Sequence, residues 1–400
     1  MAQRSLLSRL VVTAIAFLLA AMIWLPTVHL FFRQNVTEFR LDGVIAQSTR
    51  ELASRQLNVW DDPVRRSIEI NRMRGSNAEW DFMGRTFFVL SLANMSLIEP
   101  AQQRRYLKIV DAIIDETLRL EDEKGMYFFL MNYARRRSYI ARPARSTFLD
   151  SEIALMLAAR QMVAREPRYG PPLAQRIDLL VEYMSKSPSF CGESYPDECW
   201  MFDNAVAAAA ITLSDSLDGR DHAQFIHTWL RSVKSKLIDP QSGMLISSFT
   251  YNGETMDGPE GSSIWMISHM LQIVDPDFAN DQYRRARQQI GQSILGFGYA
   301  KEWPASWQGH EDIDSGPIMP IVGASAGSSG LAVLGAAAFG DDEFLQQLLT
   351  TLEFAAFPER KSGELRYAAS NQVGDAVLLY AMVNGPFWKW AAAKPTTEQP

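Results

Sequence analysis

A polar, turn-rich segment that leads into an alanine-rich run, residues 191–210 (CGESYPDECWMFDNAVAAAA), carries the residues best suited to chemistry. Trp200, Asp203 and Asn204 stand where the loop gives way to a predicted helix. The helix dipole favours an anion in the first turn, and side chains there can cap free N–H groups. A capping aspartate and a packing tryptophan would explain one such site. The pattern recurs along the chain, which favours a binding or catalytic role.

Carboxylates and aromatic residues stand at the starts of five further predicted helices. They are Asp81 and Arg85 in AEWDFMGR, Glu152 in LDSE, Trp265 in PEGSSIW, Trp307, Asp312 and Asp314 in WQGHEDIDSGP, and Tyr367 in LRYAASN. Acid–base chemistry on a neutral, hydroxyl-rich substrate needs two carboxyl groups, one of which is kept protonated by burial or by its neighbour. The pattern therefore predicts an acidic, aromatic cleft.

Within this cleft, Asp203 and Glu152 are predicted to act as acid and base, in either order. Asp314, with Asp312 beside it, is predicted to position water or substrate, although a turn with capping aspartates would also explain that pair. Seven further residues are predicted to bind the substrate, the tryptophans by stacking on sugar rings. These seven are Trp200, Trp265, Trp307, Asn204, Tyr367, Asp81 and Arg85.

Charge and short motifs exclude several classes of function. The formal net charge is −7, so the chain lacks the basic surface that nucleic acids require. The five histidines form no HExxH pair, and the aspartates of HEDIDSGPI lack the other spaced ligands of a calcium loop, so no metal site is predicted. The run GASAGSSG lacks the lysine of a phosphate loop, and GxSxG is absent in a strand–turn–helix context.

Only two cysteines are present, Cys191 and Cys199. In an oxidising compartment, this pair in one short loop could form a disulfide. Metal binding is less favoured because no histidine lies near them in the sequence. A disulfide is therefore the prediction.

Helical periodicity dominates the chain after residue 60, with apolar residues at i, i+3, i+4 and i+7. The predicted helices fall into pairs joined by short turns rich in Asp, Pro and Gly, which is an αα-hairpin repeat. The pairs are 81–98 with 103–120, 148–165 with 172–185, 203–217 with 221–237, 261–274 with 280–294, and 322–339 with 342–354. A last helix over 372–390 is predicted to pair with the segment 64–73 and close the ring.

Six such hairpins form an all-α (α/α)6 toroid if they close. The first helix of each pair is rich in Ala and Gly, as an inner helix should be, and the second carries the charges of an outer one. The long links between pairs then meet on one rim and deliver the acidic residues to a single funnel. An elongated solenoid is the alternative, but the count of six and the lack of a charged capping repeat favour closure.

The N-terminal run 10–32 is apolar and long enough to span a bilayer. Arg4 and Arg9 precede it, which by the positive-inside rule keeps the N-terminus in the cytoplasm. The alternative is a cleaved signal peptide. An anchor would place the rest in the periplasm of a Gram-negative cell. The predicted organisation is a cytoplasmic N-terminus (1–9), an inner-membrane helix (10–32), a juxtamembrane stalk (33–60), the toroid (61–392) and a disordered tail (393–400).

Several stretches resemble bacterial linalool dehydratase/isomerase. They include YPDECWMFDNAVAAAA, LIDPQSGMLISSF, QIVDPDFANDQYRRA, DIDSGPIMPIVGASAGSSGLAVLGAAAFGDDEFLQQLL and GELRYAAS. The resemblance implies an exported (α/α)6 enzyme that converts linalool to geraniol and myrcene without a cofactor. Matched position by position, it puts Glu152 where that family has its catalytic histidine. It puts Ser194 and Asp203 where the family has its two active-site cysteines.

Three hypotheses follow for function. The first is a periplasmic glycoside hydrolase that uses the paired carboxylates, and the second is a lyase or isomerase acting on a small alcohol. The third is a non-catalytic binding protein of an envelope assembly. The expected partners are a glycan or small-molecule substrate and the inner membrane, with no nucleic acid and no cofactor; the sequence leaves oligomerisation open.

Overall fold

The structure is a computed structural model that describes residues 6–39, 44–311 and 315–393. Its α-helices, in chain order, are α1 (Leu6–Trp24), α2 (Gln47–Asp61), α3 (Pro63–Ser76), α4 (Ala78–Ile98), α5 (Gln103–Lys124), α6 (Thr147–Val163), α7 (Gly170–Lys186), α8 (Met201–Asp218), α9 (Ala223–Lys236), α10 (Gly261–Leu271), α11 (Pro276–Gln289), α12 (Ala326–Phe339), α13 (Asp342–Ala355), α14 (Gln372–Val383) and α15 (Pro386–Ala393). The five predicted helix pairs match the helices from α4 to α13.

Six helices form a closed inner ring. They contact one another in the order α4, α6, α8, α10, α12 and α14, and α14 packs back against α4. The last contact closes the barrel and excludes the solenoid alternative. The prediction of an (α/α)6 toroid is confirmed.

Small residues explain why the inner helices approach one another closely. The run from Ala205 to Ala210 in α8 is completely buried, and α6 buries every residue from Thr147 to Met162. The outer helices α5, α7, α9, α11 and α13 bury one face and expose the other, as amphipathic helices do on the surface of a core. The sequence therefore sorts inner from outer helices by side-chain size and charge.

Helix α2 fills the sixth outer position, which corrects the predicted stalk over 33–60. Leu52 and Leu57 are buried, and Arg55 bonds to Asp375 of α14 (Nη1 to Oδ2, 3.1 Å). The segment 64–73, which was expected to close the ring, belongs to α3 and packs against α4. An apolar face on α2 makes it part of the domain from Ile45 onward.

The predicted final helix 372–390 is two helices. Gly385, at φ +128°, separates α14 from α15, and a backbone conformation of that kind favours glycine. Helix α15 folds back on α4, where the Phe387 N–H donates to Asn94 Oδ1 at 3.0 Å. The C-terminal helix thus packs at the rim of the short turns.

The long links contain small antiparallel sheets. Their strands are β1 (Cys199–Trp200), β2 (Ser248–Phe249), β3 (Thr255–Asp257), β4 (Gly291–Ile294), β5 (Phe297–Ala300), β6 (Pro358–Lys361) and β7 (Glu364–Tyr367). Strands β1, β2 and β3 form one sheet, and β4–β5 and β6–β7 are hairpins. The helix predicted over 280–294 therefore ends at Gln289, because Gly291 begins the ladder with Ala300.

The N-terminal segment Ser8–Phe31 is helical, has a mean hydropathy of 2.3 and is not buried in the domain. It is long and apolar enough to cross a membrane, although a signal sequence shows the same features. Residues 1–5 of the predicted cytoplasmic segment and 394–400 of the predicted tail lie outside the described residues.

Candidate active site

Glu152 lies on the inner helix α6 and is completely buried. Thr86 on the neighbouring helix α4 donates its hydroxyl to Glu152 Oε2 at 2.7 Å. Burial raises the pKa of the Glu152 carboxyl well above its usual range, and the charges of Asp203 and Glu79 raise it further, against the opposing hydrogen bond from Thr86. Glu152 is therefore a carboxyl group that keeps its proton at neutral pH.

Asp203 lies in the first turn of α8, the next helix of the ring, and is also buried. Burial raises its pKa to about 8, with smaller contributions in the same direction from Glu79 and Glu198. A hydrogen bond from Ser194 acts in the opposite direction and favours the ionised form. The pKa of Asp203 is therefore lower, and nearer to neutral pH, than that of a buried carboxyl without this hydrogen bond.

Glu79, Glu152, Glu198 and Asp203 form what we call the acidic cluster. The charges that act on the Glu152 and Asp203 carboxyls come from carboxylates of this cluster. The charge of Asp203 is thus one of those that raise the pKa of the Glu152 carboxyl. In such an arrangement, buried carboxyl groups keep their protons instead of ionising and pairing with arginine or lysine.

Two tyrosines also contact the acidic cluster, and neither is among the predicted site residues. The Tyr195 hydroxyl donates to Glu79 Oε1 and accepts the Met131 N–H at 2.9 Å. Tyr133 stacks on Tyr195 with ring centroids 4.5 Å apart, and its hydroxyl lies 3.1 Å from Glu198 Oε1. Tyr133 lies in the link between α5 and α6 and Tyr195 in the segment 191–210, and only the fold reveals their partnership.

Trp200 lies at the edge of the acidic cluster. Its indole Nε1 donates to Glu198 Oε1 at 2.6 Å, and its side chain is half-buried. Together with Tyr133, which is exposed, it gives the cluster an aromatic border open to solvent.

Asn204 holds the loop instead of facing a ligand. Its Oδ1 accepts the Gly192 N–H at 2.7 Å, and its Nδ2 donates to the Gly192 and Trp200 carbonyls at 3.1 and 2.7 Å. The predicted substrate-binding role is therefore wrong for this buried amide. Its bonds fix the loop that presents Ser194 and Trp200 to Asp203.

The predicted disulfide is also absent. Cys191 and Cys199 are both buried free thiols, and Cys199 Sγ lies 4.0 Å from the Cys191 carbonyl oxygen. Cys199 is held in β1, where it pairs with Phe249. Burial raises the pKa of Cys191 to about 12, so its thiol stays protonated.

Asp81 and Arg85 neutralise each other on the outward side of α4. Arg85 Nε lies 2.9 Å from Asp81 Oδ1, and Arg74 Nη1 lies 3.2 Å from Asp81 Oδ2. Arg85 also reaches Thr117 on the outer helix α5. These contacts hold three helices together, so the two residues belong to the wall of the barrel and not to the predicted cleft.

The predicted aromatic residues divide between core and loop. Trp265 is completely buried against Tyr283 and Phe344 of the outer helices, so it cannot stack on a sugar. Tyr367 is buried in β7, which packs on α2. Trp307 is half-buried over Gly258, where any Cβ would overlap its ring. Asp312 and Asp314 lie outside the described residues.

The described residues contain no group of three or more His, Cys, Asp or Glu side chains arranged to hold a metal ion. The acidic cluster instead distributes its oxygens among hydroxyl and indole donors. The arrangement suits proton transfer by carboxyl groups.

Part of the chain matches a known protein family. Residues 177–373 match the model of the linalool dehydratase/isomerase family. The match covers just under half of the chain, so residues 177–373 are similar to that family. This region includes Ser194 and Asp203, whereas Glu152 precedes it. In the barrel, Ser194 bonds to Asp203, and the charge of Asp203 acts on Glu152.

Solved structures share the architecture at low sequence identity. A family 105 glycoside hydrolase of C. acetobutylicum ATCC 824 has a TM-score of 0.51 and 12% identity, covering 83% of this chain and 99% of its own. An α-1,6-mannanase of Salegentibacter sp. HEL1_6 has a TM-score of 0.49 and 13% identity, with 77% and 89% covered. An unsaturated glucuronyl hydrolase of Bacillus sp. GL1 has 0.48 and 12%, with 74% and 84% covered. The first likeness supports the toroid fold.

Proposed function

We propose that the domain is an acid–base enzyme that cleaves a C–O bond of a neutral, hydroxyl-bearing substrate, and that this substrate is a carbohydrate. One observation carries the proposal: Glu152 and Asp203 are buried carboxyl groups on neighbouring inner helices, and the charge of Asp203 raises the pKa of Glu152. Enzymes that hydrolyse glycosidic bonds use two carboxyl groups in this way, one protonated and one ionised.

The order in which Glu152 and Asp203 lose their protons assigns the roles of general acid and general base. Glu152 is the more deeply buried and keeps its proton, so it is the general acid that protonates the leaving oxygen. Asp203 has the helix dipole and the Ser194 hydroxyl to favour its anion, so it is the general base or nucleophile. Because the two groups are coupled, their pKa values belong to the pair.

The aromatic border favours a sugar as the substrate. Trp200 and Tyr133 present ring faces at the edge of the acidic cluster, and such faces bind the apolar side of a sugar ring. Their polar atoms are engaged with Glu198, which fixes the rings in place.

A substrate found by glycan screening tests the assignment through two isosteric variants. We expect Asp203→Asn and Glu152→Gln each to lower kcat/KM by about 10²–10⁴-fold, the usual contribution of a general acid or base. Asp375→Asn is the matched control, since Asp375 is also buried, with a pKa raised to about 7, but lies outside the acidic cluster. Full hydrolysis by Asp203→Asn would refute the proposal.

A second candidate is a dehydratase or isomerase of a small alcohol. The family match over 177–373 and the interactions of Asp203 with Ser194 and Glu152 favour it. Here Glu152 would protonate a hydroxyl that leaves as water, and Asp203 would take a proton from carbon. An anaerobic incubation with linalool, followed by gas chromatography, decides between the two: product that disappears in Asp203→Asn supports this candidate, and no product removes it.

The cellular position is part of the proposal. The apolar segment Ser8–Phe31 supports a single-pass anchor in the inner membrane, with the domain in the periplasm. We expect the full chain to stay with membranes after alkaline extraction and to be digested by protease added to spheroplasts. Release into the soluble fraction would indicate a cleaved signal peptide instead.

A further inference from the structure

Four large apolar side chains are exposed on one part of the domain surface. Leu295 lies in the turn of the β4–β5 hairpin beside Ile294, the last residue of β4; Phe354 lies in the last turn of α13, and Phe357 follows that helix. The hairpin packs along α13, so the two pairs belong to neighbouring segments. We call these four residues the apolar patch.

The backbone at two of these positions favours a different kind of residue. Leu295 and Gly296 have φ +51° and +84°, and two-residue hairpin turns of that geometry favour Asn-Gly. Leu295 is nevertheless a leucine with 46% of its surface exposed. Folding alone does not account for a strained, exposed leucine at the tip of a hairpin.

Phe357 repeats the same anomaly after α13. Its φ is +51°, a left-handed conformation usually taken by Gly or Asn after a helix, and 65% of its surface is exposed. Two independent turns therefore carry a large apolar side chain where a small or polar residue would suit the backbone better. An apolar partner for these side chains would explain both.

The apolar patch is continuous with the end of the N-terminal apolar helix. The ring of His29 covers Gly296, and the Phe32 ring lies 5.0 Å from the Phe354 ring. Phe354 in turn lies 5.1 Å from Phe297 of β5. The segment that leaves the apolar helix is thus attached directly to the apolar patch.

We propose that the apolar patch inserts into the interfacial layer of the lipid bilayer that the N-terminal helix crosses. This inference rests on the membrane anchor proposed above. An exposed apolar surface that adjoins a membrane-spanning helix buries its side chains among lipid headgroups and upper acyl chains. The insertion adds a second attachment to the anchor and fixes one orientation of the barrel on the membrane.

Full-length protein reconstituted in phosphatidylethanolamine/phosphatidylglycerol vesicles provides the test. The variant Leu295→Cys carries an environment-sensitive NBD fluorophore, and Ala101→Cys, at the exposed turn between α4 and α5 on the opposite rim, is the matched control. Cys191 and Cys199 are buried and do not compete for the label. We expect blue-shifted emission, quenched by nitroxide-labelled lipid, at residue 295 and neither effect at residue 101.

The other outcomes overturn the inference in distinguishable ways. Water-like emission at residue 295 in a chain that resists alkaline extraction refutes lipid insertion and leaves the anchor intact. A chain that does not stay with the vesicles refutes both. A blue shift that ignores lipid quencher and depends on protein density identifies a second copy as the partner. None of these outcomes bears on the acid–base assignment, which is measured by turnover.

Discussion

At the scale of single residues, the chemistry of the site depends on how Asp203 differs from Glu152. Both carboxyls are buried, but only Asp203 has a helix N-terminus and the Ser194 hydroxyl beside it. These groups stabilise the anion, so Asp203 is the carboxyl that ionises first. A pair with unequal affinities for protons can supply an acid and a base at the same pH.

The pH profile of turnover tests this difference. Asp203 must be ionised to act as base, so kcat/KM is expected to rise with pH along a limb with an apparent pKa of about 8. In Ser194→Ala the hydrogen bond that lowers this pKa is lost, and the limb should move to higher pH. A profile in which Ser194→Ala lowers the rate equally at every pH would show that Ser194 acts on structure alone.

At the scale of helices and strands, buried polar side chains join neighbours of the ring. His269 of α10 is completely buried, and its Nε2 lies 2.6 Å from the hydroxyl of Tyr380 on α14. Burial lowers the pKa of His269 to about 4, so the ring is neutral in the folded protein at pH 7. The link between α10 and α14 therefore depends on pH.

Acid should weaken this link. The unfolded histidine binds its proton near pH 6.5 and the folded one only near pH 4, so stability is complete above pH 6.5 and falls as the pH drops toward 4. We expect a loss of about 3 kcal/mol across this range, measured by denaturant unfolding. His269→Gln, which has no titrating ring, should show a smaller dependence in the same window; an unchanged dependence would contradict the assignment.

Glycines place the β4–β5 hairpin on α13. A Cβ at Gly298 would lie 2.8 Å from the backbone of Gln347 and Leu348, so Gly298→Ala should destabilise the protein by about 1–3 kcal/mol. Gly330 in α12 has open space around its Cβ position, and Gly330→Ala should stabilise by about 0.5–1 kcal/mol. Thermal unfolding of both variants measures the contrast, and equal effects would be inconsistent with the close approach.

At the scale of the whole molecule, the outer layer depends on α2, which completes it beside α14. Helix α2 falls almost wholly within the segment 33–60, which is predicted from the sequence to be a juxtamembrane helix or stalk. Its apolar face is nevertheless complete, and it covers α14 and β7. The domain therefore starts almost immediately after the membrane-proximal segment, which brings the barrel close to any membrane that segment enters.

Truncating a side chain on the buried face of α2 measures its role. Leu52→Ala should lower the free energy of unfolding by about 2–5 kcal/mol, since Leu52 is completely buried. Val64→Ala in α3 is the control, because 69% of that side chain is exposed and its removal leaves no cavity. A negligible effect of Leu52→Ala on the free energy of unfolding would instead support the prediction that α2 belongs to a stalk.

The site shows where sequence patterns stop being informative. A carboxylate in the first turn of an inner helix has the same sequence pattern whether its side chain faces a neighbouring helix or the acidic cluster. Asp81 and Asp203 share that position, yet Asp81 pairs with Arg85 while Asp203 faces Ser194. The direction of each side chain depends on the rotation of its helix in the ring, which local sequence does not encode.

The composition of the helices already indicates the layers of the barrel. Alanine-rich helices can approach one another closely, and helices with charged faces favour the outside. The sequence also pointed to Glu152 and Asp203, which belong to the acidic cluster, and to Trp200 at its edge, whose roles in catalysis and binding stay predictions. Three further features appear only in the folded protein: Tyr133 and Tyr195 contact the acidic cluster, Trp265 packs in the core, and the two cysteines remain unbonded. Those outcomes depend on contacts between segments far apart in the chain, which no local pattern records.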